Sequence, residues 1–238
     1  MKESRLKEVQ RALRKIGDES IAQHSAGFFK TGKGEYAEGD CFLGIRVPVL
    51  RNLVKEYPDL TISQITSLLR SKYHEERLLA VLMLVAHYNK GSDNDKRRIY
   101  DLYLGNTRYI NNWDLVDSSA EHIVGAYLWD LDKTPLYALA RSESLWERRI
   151  SVMSTYYYIK KNEFRDTFLI SKILLKDQED LIHKAVGWML REIGKRDLAK
   201  EEGFLKVHYQ RMPRTMLRYA IEKFPEKKRQ GYLKGKVK

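Results

Sequence analysis

With one cysteine, Cys41, in 238 residues, the chain has no internal disulfide and no cage of cysteine thiolates for a metal. Long apolar runs are also missing. No stretch approaches the ~20 residues that span a bilayer, and the N-terminal Met1-Lys-Glu-Ser-Arg-Leu-Lys-Glu is charged where a secretory leader would be apolar. A soluble, cytoplasmic protein with no membrane partner is expected. Phosphate-loop, dinucleotide, HExxH and zinc-deaminase patterns are all absent. The six histidines, His24, His74, His87, His122, His183 and His208, have no ligand spacing, and no nucleophilic Ser or Cys signature exists. The sequence calls for no metal and no cofactor. Any catalysis falls to carboxylates and aromatics.

What the chain does have is positive charge and helical periodicity. Lys and Arg total 44 against 32 Asp and Glu, a net charge of +12. That excess favours a polyanionic partner, nucleic acid before an acidic membrane, over a merely basic soluble protein. Strand alternation is scarce. Segments opening at His74, Trp113, Trp146, Asp180 and Pro213 resemble one another, each polar at its start and then apolar at helical spacing, with starts 39, 33, 34 and 33 residues apart. Second helices are expected near 95–104, 134–141, 164–175 and 197–210. One helix pair per step predicts an all-α, right-handed solenoid of HEAT- or armadillo-like pairs, its inner helices lining a concave basic groove. The reading is one domain over residues 1–225 and a frayed basic tail over 226–238. Residues 28–41 form the one long loop, a connector in preference to a phosphate nest, and Pro48 suits a first helical turn.

Trp113 and Asp117 stand four residues apart, so a helix stacks them on one face. Lys184, Trp188, Arg191 and Lys195 share a face in the same way. Arg148 and Arg149 point ~100° apart on a helix, so one of the two is expected to face the groove. Each tryptophan taken singly reads equally well as core. Two tryptophans, one acid and a basic surround on successive repeats are hard to explain by packing alone.

Four blocks resemble the AlkD class of DNA alkylation repair glycosylases, a HEAT-like repeat family: Phe42-Leu-Gly-Ile-Arg-Val-Pro-Val-Leu-Arg51, Trp113-Asp-Leu-Val-Asp117, Trp146-Glu-Arg-Arg149 and Ala185-Val-Gly-Trp-Met-Leu-Arg-Glu192. They run in family order over nearly the whole chain. The resemblance implies catalytic roles for Trp113, Asp117 and Trp188 and a DNA-backbone contact for Arg149. Arg148, Lys184, Arg191, Lys195, Arg46 and Arg51 are the further expected DNA contacts. Asn112 departs from the family, some members of which carry an aromatic there.

The implied activity is a monofunctional glycosylase that removes cationic N3- or N7-alkylated purines from double-stranded DNA as a monomer, without a base-enclosing pocket. An alkylated purine is already a good leaving group, so the enzyme's task is to stabilise an oxocarbenium-like sugar and orient water. A carboxylate suits both tasks, and indoles attract the cationic centre. A non-catalytic binder of damaged or branched DNA and a protein-interaction scaffold are the competing readings.

Overall fold

A computed structural model describes residues 5–237. Residues 1–4 of the charged N-terminal stretch and residue 238 of the basic tail lie outside the described residues. All regular structure among these residues is helical, apart from one isolated parallel bridge between Cys41 and Tyr73. The chain forms two compact units, one ending at Ser119 and the other beginning at Ala120.

The first unit contains α1 (Arg5–Ile16), α2 (Glu19–Phe28), α3 (Val47–Glu56), α4 (Ile62–Leu69), α5 (His74–Lys90), α6 (Asp93–Leu104) and α7 (Trp113–Asp117). Local chemistry sets the starts. Asp18 caps α2 by accepting the Ile21 amide, and Pro48 occupies the first turn of α3, where its missing N–H leaves no bond unmade. Thr61 with Gln64, and Ser92 with Asp95, form capping boxes on α4 and α6. Leu50, Ile65, Leu68, Leu79, Leu84 and Tyr103 are buried in its core.

The start of α5 is unusual: His74, Glu75, Glu76 and Arg77 are four consecutive buried polar residues. Burying such groups without partners costs several kcal/mol, and each has partners. Glu75 accepts the amides of Leu43, Gly44 and Ile45. Glu76 pairs with Arg14 at 2.6 Å and accepts from Gln10. Gly44 is the residue that permits this clamp: its φ is +77°, and a Cβ there would lie 1.9 Å from the Asp18 carbonyl oxygen.

The second unit opens with a π-type turn (Glu121–Gly125). It continues through α8 (Ala126–Leu128), α9 (Thr134–Leu139), α10 (Leu145–Ser154), α11 (Tyr156–Ile159), α12 (Arg165–Ile173), α13 (Asp180–Gly194), α14 (Leu198–His208), α15 (Arg214–Ala220) and α16 (Glu226–Leu233). α13 packs against α10 and most closely against α15. Gly187 makes the close approach possible, because a Cβ would sit 2.5 Å from both the Met216 carbonyl oxygen and the Tyr219 Cβ.

The helix starts predicted at residues 74, 113, 146, 180 and 213 fall within one residue of α5, α7, α10, α13 and α15. Residues 29–46 form the long connector, and the amides of Gly32 and Gly34 are taken by the loop's own Glu35 and Glu38, not held open for a phosphate. One expectation gives way. The segment expected to fray carries α16, because Tyr232 is buried against Tyr209 and Phe224, and the Tyr209 hydroxyl donates to the Val237 carbonyl.

Candidate functional site

In the first unit, Trp113 and Asp117 are the first and last residues of α7 and are both half-buried, so one helical turn places them on a common face. Asn112 is fully buried as the cap of α7, and its side-chain oxygen accepts the Trp113 amide at 2.8 Å. The residue that departs from the family pattern is thus an N-cap, a position that Asn favours.

The Trp113 indole is held from two sides. Phe29 stacks on it at 5.2 Å between centroids, and Phe28, largely exposed, meets it edge-on. Its Nε1 donates to the Tyr36 hydroxyl at 3.3 Å. Asp114, one step round the helix from Trp113, is structural: it accepts from His74 Nε2 at 2.8 Å. The other ring nitrogen of His74 lies 3.6 Å from Asp40, which pairs with Arg77 at 2.7 Å and accepts from Asn111. Burial by itself would lower the His74 pKa, yet hydrogen bonds to Asp114 and Asp40 push it up to about 9. Burial would raise Asp40, but His74 and Arg77 hold it below the ordinary carboxylate value.

Arg46 and Arg51 are exposed, and neither makes an ion pair with a described residue. Both are open to phosphates.

In the second unit, Trp188 is half-buried on α13 and donates from Nε1 to Glu192 at 3.1 Å, with Tyr156 6.1 Å away. The expected cations are already engaged. Arg148 pairs with Asp177 at 2.6 Å, Lys184 with Asp180 at 2.7 Å and Lys195 with Glu192 at 2.5 Å; Arg191 pairs with Glu222. Arg149 is buried and donates to the Leu181 carbonyl. Arg148 and Arg149 diverge as expected, one toward Asp177 and the other toward Leu181. Burial opposes ionisation of Glu192, but Lys195 and Trp188 keep its carboxylate below the usual range.

Sequence reasoning missed Asp40, His74, Arg77 and Tyr36 around Trp113, and Glu192 beside Trp188. Glu192 had a signal, the i, i+4 spacing from Trp188. The others come from a loop and a helix start distant in sequence and had none.

A family described as DNA alkylation repair enzyme has a sequence model that matches residues 9–224. A solved structure described as a predicted DNA alkylation repair enzyme from Enterococcus faecalis superposes with a TM-score of 0.68, over 88% of this chain and 97% of its own, at 17% identity. That likeness is one of fold. No curated protein matches the chain.

Proposed function

The chain belongs to the DNA alkylation repair enzyme family, and from that premise we propose that it is an AlkD-class glycosylase. It hydrolyses the N-glycosidic bond of purines made cationic by N3- or N7-alkylation in duplex DNA. The observation that carries this reading is the pair on α7: a carboxylate one helical turn from an indole whose far face and N–H are already occupied.

Asp117 stabilises the positive charge that develops on the deoxyribose and orients the attacking water. On the first unit Trp113 favours the cationic nucleotide through its ring face, and on the second Trp188 offers the DNA an indole of the same kind. The lesion's positive charge makes the base a good leaving group, so the reaction needs no general acid at the base and no pocket around it. Arg46, Arg51, Lys184, Arg191 and Lys195 contact the DNA backbone; of the divergent pair on α10, Arg148 does so in place of Arg149, which is buried against the Leu181 carbonyl. The cations paired on the surface exchange a carboxylate for a phosphate on binding, which makes affinity fall steeply with salt.

The test is release of 7-methylguanine from a duplex oligonucleotide. Wild type frees the base, and Asp117→Asn lowers the single-turnover rate by roughly 10²–10³-fold while duplex affinity stays within about twofold. Salt-sensitive binding with no base release by the wild type would assign the chain to the non-catalytic binders. Excision of uracil as fast as 7-methylguanine would remove the requirement for a cationic base.

A further inference from the structure

We propose that His74 is a positioning residue for Trp113, acting as an imidazolium that closes a buried four-charge cluster and thereby fixes the indole in one orientation. For its effect on activity, the inference rests on the function proposed above; for its effect on the indole, it stands on the geometry of the first unit.

Three elements meet at His74. From the loop after α2, Asp40 approaches Nδ1; from α7, Asp114 accepts from Nε2; from α5 itself, Arg77 reaches Asp40. Phe42 stacks on the ring at 4.7 Å and Phe29 lies 5.0 Å away. The two acids of this helix turn face elsewhere: Glu75 is turned toward the amides of residues 43–45, and Glu76 pairs with Arg14. His74, Asp40 and Arg77 are almost wholly buried, and Asp114 nearly so. The charge balance is what matters. Two carboxylates against one guanidinium leave a buried negative charge, and the imidazolium brings the set to neutrality. The histidine is therefore charged at neutral pH, in keeping with its raised pKa. The imidazolium and the Arg77 guanidinium provide the positive charge.

Three links tie the indole to this cluster. Phe29 packs on Trp113 and, in the other direction, on Phe42 and His74. Tyr36 belongs to the loop that Asp40 anchors. Asp114 is bonded through the chain to Trp113 itself. Loss of the proton breaks the balance and loosens loop and α7 together, and the indole turns from its bound orientation.

The experiment uses the full chain labelled with 5-fluorotryptophan. The four resonances are resolved by ¹⁹F NMR, and that of Trp113 is assigned from Trp113→Phe. In wild type it moves between pH 7 and 10 with a midpoint near 9. In His74→Gln it is displaced at pH 7 and flat across the same range. Asp40→Asn, which removes one carboxylate and keeps the histidine, lowers the midpoint by about one unit and supplies the test if His74→Gln does not fold. A Trp113 resonance that is pH-independent in wild type, or that titrates identically in Asp40→Asn, overturns the proposal.

With 7-methylguanine duplex at pH 7, His74→Gln lowers single-turnover release about tenfold or more while leaving duplex affinity within about twofold. A displaced resonance with an unchanged release rate also overturns it. If the resonances behave as expected but wild type releases no base, the glycosylase reading fails and the positioning of Trp113 stands.

Discussion

The two tryptophans sit in opposite electrostatic surroundings. Around Trp113, Asp40, His74, Arg77 and Asp114 are withdrawn from water and answer one another, under a lid of phenylalanines. Around Trp188, the charges run along helix faces and each pair keeps at least one member in water: Lys184 and Asp180 are both exposed, and Lys195 is exposed where it meets the buried Glu192. A closed cluster cannot give up a member cheaply, because the partner left behind is a buried, uncompensated charge. A solvated pair can, because water or a phosphate replaces the lost partner at little cost. The first arrangement suits holding a ring still, and the second suits meeting a polyanion.

The sharpest way to break this contrast is to remove one buried cation. Arg77→Met keeps the volume and leaves Asp40 and Asp114 facing a single imidazolium. A loss of about 3–5 kcal/mol in denaturant unfolding is expected. A loss below about 1 kcal/mol would mean that water reaches the cluster and that the two surroundings differ less than their geometry suggests.

A smaller effect comes from a buried acid that is poorly answered. Glu201 on α14 has Oε1 without a hydrogen bond, and burial pushes its pKa up to about 8, with Arg191 opposing only weakly. The unfolded chain ionises this group near 4.5, so between pH 4.5 and 8 the folded state carries a proton that the unfolded state has lost. Stability then falls as pH rises through that window. Glu201→Gln should raise the melting temperature at pH 8, by an amount corresponding to a few kcal/mol, and change it little at pH 4. His74 loses stability with rising pH for the opposite reason. Its folded pKa of about 9 exceeds the ordinary 6.5, so its contribution is complete below pH 6.5 and gone above 9. In His74→Gln, the deficit against wild type should shrink across that interval. A constant deficit would separate the imidazole's packing from its charge.

How much of this could be read beforehand depended on distance along the chain. Helix starts were legible because caps and apolar periodicity are local, and the near-constant spacing of the repeats gave the pairing. The Trp113–Asp117 face was legible for the same reason. The cluster that holds Trp113 was not, because Asp40, His74 and Asp114 come from a loop, a helix start and a short helix that only folding brings together. Charge composition also left the pairing of the cations unread. An excess of Lys and Arg does not say which of them are paired, and Arg148, Lys184, Arg191 and Lys195 each face an acid that lies 29, 4, 31 and 3 residues away. Tyr232 is a further case: a basic tail composition hid one aromatic anchor sufficient to dock α16.

The smallest effect on stability tests the other half of the contrast. Lys184 and Asp180 are an exposed i, i+4 pair on α13, worth about 0.3–0.5 kcal/mol, so Lys184→Ala should barely move the unfolding midpoint. If this lysine trades Asp180 for a phosphate, the same substitution lowers the slope of log affinity against log salt by about one. It should do so equally for lesion-bearing and undamaged duplexes, because a phosphate contact carries no information about the base. Asp180→Asn sharpens the point, since it removes the carboxylate that competes with the phosphate: duplex affinity should rise slightly, and more at low salt than at high. An unchanged salt slope in Lys184→Ala would place this end of α13 off the DNA, and leave the ion pairs nearer Trp188 as the ones that exchange.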